Sequence, residues 1–395
     1  MQYKISQYQQ VIELFEKVTF IIFRKLYITQ YILYMTKGRG NNEVVRMSDN
    51  IHQRLDWVDA TKGIVIIGVL VAHIGLFYDI FPGLRIIFNV FVLTTFFFIS
   101  GYLFNWDKYK NRWLIFIKKR FAKLMIPVYI FAGIALIFQY LYYIYTNEVL
   151  GLRFWTHDPI TIFIHIFRVD LAYYSWFHSV WFLSALFICE MIFFILLHLV
   201  KSDKYRGLAV VLIAMPAFMF YYNQYTPLFF APALAGMVYY YLGFMTKKYN
   251  LVSRLTIPGV VSLFIVFLLA CSTPHAITNF AQLKYDNIIQ WYIGGIAGAL
   301  FICGSMFYIY KYKIKSKTLE YLGKNSLLIM LINIPVIFGI SKIINLSSFG
   351  IYPRGLLFAV TMTTILCFSC LVNKIFISLS SVKKINGENT VKGGE

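Results

Sequence analysis

The chain has 395 residues, of which 59% are hydrophobic, 19% aromatic and only 14% charged. A soluble domain carries roughly 25% charged residues, so this composition makes lipid the solvent. The formal net charge of +20 sits in short loops between apolar runs, the pattern of cytoplasmic loops in a membrane protein and not of a nucleic-acid binder.

Residues 1–50 come first and are irregular. Val11–Met35 is apolar and aromatic but is interrupted by Glu13, Glu16, Lys17, Arg24 and Lys25. It reads either as an interfacial helix on the inner leaflet or as an extension ahead of a translation start at Met47. Apolar runs long enough to cross a bilayer then follow near 63–79, 84–104, 124–146, 178–200, 207–222, 229–245, 257–272, 288–310, 325–345 and 355–378. The expectation is therefore an all-α, polytopic membrane helical bundle of about ten transmembrane helices. A membrane domain over 51–380 is followed by a polar tail, 381–395. Pro216, Pro227 and Pro232 break the fifth and sixth runs, which read as a short pair or a re-entrant one.

Lysine and arginine alternate between the loops. One set holds Lys108–Lys123, Lys201–Arg206, Lys247–Arg254 and Lys311–Lys317, and the other holds little beyond Arg85, Arg153, Arg168, Lys284 and Arg354. The positive-inside rule places the first set, and both termini, in the cytoplasm. The five cysteines lie in or beside apolar runs without the paired spacing of a metal or redox site, so no metal is expected.

His73 is the residue that stands out. It lies in the run from Gly63 to Tyr78, and an ionisable group inside a span is by default a functional-site hypothesis. Counted from Gly63, a helix rising ~1.5 Å per residue carries it roughly 15 Å in, near the bilayer middle. The imidazole reads equally as a functional group or as one hydrogen-bonded between helices. Arg54, Asp56, Asp59 and Lys62 precede it, and Asp59, Lys62 and His73 fall near one helix face. Taken alone, that charge is the ordinary end of a span.

The second run ends Ile99-Ser100-Gly101-Tyr102, where small residues permit close helix approach. Arg120 and Lys123 stand one α-turn apart at the cytoplasmic start of the third run. Two cations on one face suit a phosphorylated ligand, and equally a snorkelling anchor to anionic lipid. The fourth run opens at Trp181 and carries Glu190, a second intramembrane ionisable residue. The outward loop 147–177 mixes Trp155, His157, Asp158, Tyr173, Tyr174 and Trp176, a pattern that fits an interfacial aromatic belt better than a sugar-stacking surface.

Taken in order, Asp59-x-x-Lys62-Gly63…His73, Phe97-Phe98-Ile99-Ser100-Gly101-Tyr102, Arg120-x-x-Lys123…Pro127, Trp181-Phe182-Leu183…Glu190 and Leu322-Gly323-Lys324-Asn325-Ser326-Leu327 resemble the membrane-bound acyltransferase-3 family, and within it the branch similar to fucose 4-O-acetylase. The likeness covers about residues 50–378. It implies an acyl-CoA donor, acetyl-CoA first, as co-substrate with no tightly bound cofactor. It also implies a surface polysaccharide or lipid-linked sugar as acceptor, and residence in the cell membrane. It assigns the essential histidine to His73. The basic pair of the third span, often two arginines in the family, corresponds to Arg120 and Lys123; the lysine keeps the charge without the guanidinium fork. Many members carry a histidine after the Leu-Gly-Lys-Asn-Ser-Leu stretch, where this chain reads Ile332-Asn333-Ile334.

Two functions follow. In the first, an enzyme, His73 is the general base, with Glu190 as a second polar wall and Asp59 acting indirectly. Arg120, Lys123, Arg54, Lys62, Trp181 and Ser100 serve substrate binding. In the second, a transporter or exporter of a small acid or a glycan, the same His and Glu form a proton relay. The absence of internal repeats and the donor-like basic rim favour the enzyme.

Overall fold

Apolar runs in lipid have one economical solution, because every backbone N–H and C=O must be satisfied within the segment, and a helix does so. A computed structural model of the chain describes residues 55–74, 83–146, 159–169, 178–218, 226–272, 279–284, 287–344 and 355–367. Arg54, the whole of 1–50, the tail 381–395 and the aromatic loop residues Trp155, His157, Asp158, Tyr173, Tyr174 and Trp176 lie outside the described residues. Among the described residues the fold is all-helical, with a single isolated bridge between Asn279 and Lys284 and no strand.

The main helices are α1 (Asp56–Ile74), α2 (Gly83–Leu103), α3 (Trp113–Arg120), α4 (Ile126–Thr146), α5 (Pro159–Phe167), α6 (Trp181–Leu199), α7 (Asp203–Ala214), α8 (Phe230–Lys248), α9 (Ile257–Cys271), α10 (Ile288–Lys311), α11 (Lys317–Lys324), α12 (Ser326–Ile344) and α13 (Gly355–Cys367). Five segments are long and apolar enough to cross a membrane: Asp56–Ile74, Ile86–Leu103, Trp181–Leu199, Pro227–Lys248 and Ile288–Lys311. Ile257–Cys271, Ser326–Ile337 and Gly355–Cys367 are apolar but shorter. A membrane-spanning helical bundle thus stands, with five spans meeting both criteria among the described residues where the sequence suggests about ten.

Two segments differ from the sequence expectation for identifiable reasons. The sixth apolar run is a full-length span and not half of a re-entrant pair. Pro227 opens a 3-10 turn at Pro227–Phe229, and Pro232 falls in the first turn of α8, where a missing N–H costs nothing. The turn itself is held from three sides. The Leu228 amide donates to the Arg168 carbonyl (2.8 Å), the Ser184 hydroxyl donates to the Leu228 carbonyl (2.8 Å), and the Ala231 amide donates to Thr226 Oγ1 (2.9 Å). These bonds hold Leu228 and Phe229 in the left-handed region at φ 54° and 56°, which side chains of that size rarely adopt. The first span also begins earlier than Gly63. Its helix starts at Asp56 and is buried from Trp57 onward, so His73 lies in its last described turn, roughly 25 Å along the axis from Asp56.

Specific bonds gather the basic loops at one end of the bundle. His198 Nε2 donates to the Lys110 carbonyl (2.9 Å), Lys248 pairs with Asp203, the Tyr308 hydroxyl donates to the Leu255 carbonyl, and Lys315 pairs with Asp56 (3.0 Å). At the opposite end Trp181 packs beside Phe229 and Phe280, and Gln290 Nε2 donates to the Ala270 carbonyl (3.1 Å).

Two backbone-to-backbone seams hold the bundle. A Cβ at Gly101 of α2 would overlap the Tyr240 carbonyl of α8, and a Cβ at Gly243 of α8 would overlap the Phe98 carbonyl of α2. In the same reciprocal way Gly63 of α1 lies against the Leu319 carbonyl of α11, and Gly323 of α11 against the Asp59 carbonyl of α1. Lipid tails are as apolar as leucine, so close backbone approach at small residues is what draws spans together.

Candidate active site

Among the described residues, three polar features of the apolar interior bear on a site. The first is the base of α1. Asp59 is 4% exposed and pairs with Lys62 at 2.7 Å, one turn away on the same face. Gly323 sits directly on the Asp59 backbone, so α11 covers this end of α1. The same face of α1 continues through Ile66 and Val69, both buried, to His73, which is exposed. The expected stripe is real as a helix face, but two aliphatic side chains fill it between Asp59 and His73. Because Ile66 and Val69 are enclosed by protein, that face points into the bundle and not to lipid. His73 is the exposed end of this stripe.

The second feature is an ion pair that the sequence does not announce. Arg120 Nε lies 3.2 Å from Glu190 Oε2, with side-chain exposures of 19% and 2%. The register is set by aromatics. Phe116, one turn before Arg120, stacks on Phe194, one turn after Glu190, at 4.5 Å between centroids. The antiparallel run of α3 against α6 therefore brings Arg120 to Glu190 at the middle of the fourth span. The Arg120 guanidinium also lies 5.6 Å from the Phe116 ring centre. The Tyr240 hydroxyl of α8 faces the same carboxylate, and Lys123 adds positive charge nearby. Neither Glu190 Oε2 nor the Tyr240 hydroxyl completes a well-aligned hydrogen bond.

Between Arg120 and Ile126 the helix passes through a π turn, Phe121–Met125. Such single turns recur at functional sites. Arg120, just before this turn, pairs with Glu190, and Lys123, within it, is exposed while still adding positive charge near the same carboxylate.

The third feature is Asn333 on α12, 0% exposed, next to a kink-prone Pro335. Nearby, the Ser179 hydroxyl donates to the Met330 carbonyl at 2.7 Å.

Of the remaining sequence candidates, Ser100 is half-buried on α2 beside the Gly101 seam, and Trp181 is buried with Phe182, Phe229 and Phe280 around its ring. Tyr240 and Asn333 are the polar residues that sequence reading passed over as site members. Tyr240 carried no signal beyond an aromatic in a span; Asn333 carried one, an amide in an apolar run. Among the described residues no group of three or more His, Cys, Asp or Glu side chains is placed to hold a metal ion.

These features define an integral membrane protein whose spans enclose ionisable side chains beneath a basic rim. The chain belongs to the acyltransferase-3 family: the model of that family's acyltransferase domain matches residues 55–373. It is a membrane acyltransferase in the general sense of that family. No curated protein and no solved structure matches it significantly.

Proposed function

We propose that the protein is an O-acetyltransferase of the cell membrane, moving an acetyl group from acetyl-CoA to a hydroxyl of a surface or lipid-linked carbohydrate. His73 takes the proton of the acceptor hydroxyl as its oxygen attacks the thioester carbonyl. The C–O bond forms, the C–S bond breaks, and the imidazolium returns the proton to the departing CoA thiolate. General-base help of this kind contributes typically 10²–10⁴-fold. Lys123 and the neighbouring basic loop, Lys118 and Lys119 included, hold the donor's phosphates from the basic end. Arg120 is engaged by Glu190, and the pair serves as a second polar wall inside the bundle. Asp59 holds Lys62 and the base of α1. The carbohydrate acceptor and acetyl donor follow from the likeness to fucose 4-O-acetylase-like members.

The observation that supports this reading is the α1 face that runs from Asp59 and Lys62 through buried Ile66 and Val69 to exposed His73, in a chain of this family. The test is His73→Ala in purified protein supplied with acetyl-CoA and a sugar acceptor. Transfer should fall by at least ~10²-fold while the variant reaches the membrane at wild-type level. Near-normal transfer removes His73 from the mechanism. A wild-type protein that turns over no acyl-CoA but moves a glycan or small acid across vesicles would favour the exporter instead.

A further inference from the structure

Buried polar groups in a span are costly unless paired, and threonines in this bundle obey the rule. Thr61, Thr94, Thr95, Thr363 and Thr364 each donate to a carbonyl three or four residues earlier in their own helix. Thr361 does not. It is 0% exposed and its hydroxyl has no partner among the described residues, so it is turned away from its own helix backbone. Outside the Glu190–Tyr240 group already described, Asn333 is a further exception: 0% exposed, with neither its amide nitrogen nor its amide oxygen paired.

Helical registry from a shared apolar cluster places Thr361 and Asn333 at one level. On α1, Val71 and Ile74 form a small apolar cluster with Leu357 of α13, against which Ile337 of α12 and Phe358 of α13 pack. One helical turn closer to the basic end, α12 presents Asn333 on the face of Ile337, and α13 presents Thr361 on the face of Leu357. Both therefore border α1 one turn short of the level of His73, and Asn333 is roughly 10 Å along α12 from Ser326 at the basic end. Pro335 adds to the polarity here: it has no N–H, so the Leu331 carbonyl lacks its helical partner.

We infer that Asn333 and Thr361 form a binding site for an amide of the donor's pantetheine arm, between the basic end and His73. The inference rests on the acyl-CoA reading above. A carboxamide with donor and acceptor both open is the complement of a secondary amide, which offers one N–H and one C=O. The pantetheine arm carries two such amides between the phosphates and the thioester. A ligand whose phosphates stay at the basic end and whose thioester reaches His73 must lay that arm along α1 past this level.

The test compares coenzyme A with adenosine 3′,5′-bisphosphate, which keeps the phosphates and lacks the arm. Binding to detergent-purified wild-type protein, Asn333→Leu and Thr361→Val is read by titration calorimetry, alongside ligand-free melting. Asn333→Leu should bind coenzyme A about tenfold more weakly and adenosine 3′,5′-bisphosphate as wild type. Thr361→Val should show the same selectivity with a several-fold loss. Without ligand both variants should melt at or above the wild-type temperature, because an unpaired polar group has been replaced by an apolar one of similar shape. Unchanged coenzyme A affinity overturns the inference, as does equal weakening of both ligands or a lower melting temperature in the ligand-free variants. Unchanged coenzyme A affinity with a raised acceptor KM gives the site to the acceptor hydroxyl and likewise overturns it. If wild-type protein binds neither ligand, the donor reading itself fails.

Discussion

The Arg120–Glu190 pair sets a measurable stake on one carboxylate. Two unit charges 3.2 Å apart attract by roughly 5 kcal/mol at an effective dielectric of about 20, and taking both out of water offsets most of that. Glu190→Gln removes the attraction and leaves the guanidinium enclosed. Breaking one side of a buried pair costs about 3–5 kcal/mol. Arg120 keeps 19% of its side chain exposed and has the Phe116 ring beside it, so the lower end, about 3 kcal/mol, applies. At roughly 2 °C per kcal/mol for a chain of this size, the melting temperature should fall by about 6 °C. Cys189, Cys271 and Cys303 are buried free thiols, so a thiol-reactive fluorophore reports unfolding over the baseline of exposed Cys367. Adding Arg120→Met to Glu190→Gln deletes the stranded charge and should recover most of the loss. A single variant that melts within about 1 °C of wild type refutes the reasoning, and so does a double variant that melts below the single.

The helix seams and the basic end give further expectations. Gly323→Ala places a methyl group on the Asp59 carbonyl and should cost ~1–3 kcal/mol or more as α11 lifts from α1, whereas Gly133→Ala, with nothing within 4 Å of the new methyl, should raise the melting temperature slightly. The Asp203 carboxyl is held below its ordinary range first by the hydrogen bond from Lys248, with Tyr249 and Arg206 adding to it. A depressed carboxyl contributes stability above its unfolded pKa and loses it as the pH falls through the folded value. Asp203→Asn should therefore melt lower than wild type at neutral pH, by no more than ~1 kcal/mol for so exposed a pair, and the gap should close as the pH falls through the lowered folded value. Loss of acyl transfer in His73→Ala with normal insertion completes the set.

The helical membrane bundle was legible because hydropathy is written along the chain. Asp59, Lys62 and His73 share a face as the α-helical period requires. The helix was legible back to Asp56, but its buried part was taken to begin at Gly63 because Asp56, Asp59 and Lys62 look like a solvated rim; in the fold Lys62 and Lys315 neutralise the two aspartates, so the helix is buried from Trp57. The prolines near 227–232 read as breakers because a sequence does not say which side of a helix start they occupy. Arg120 and Glu190 lie on separate helices and no local period joins them. Their register depends on Phe116 meeting Phe194, a choice among many aromatics that only packing makes. Asn333 was visible as an amide in an apolar run, but its lack of a partner is a property of three helices together.

The π turn at Phe121–Met125 carries a geometric debt forward. Each residue of an ordinary helix advances the side chain by about 100°, so whatever follows an inserted residue is rotated by that amount relative to whatever precedes it. Phe116 and Arg120 are aimed at α6 upstream of the insertion, while Val128 and Phe131 are buried downstream of it. The inserted residue is what lets one rod present both sets inward. Excising a single residue there would leave the docked upstream half in place and swivel α4 like a mis-cut key, turning Val128 and Phe131 away from the core.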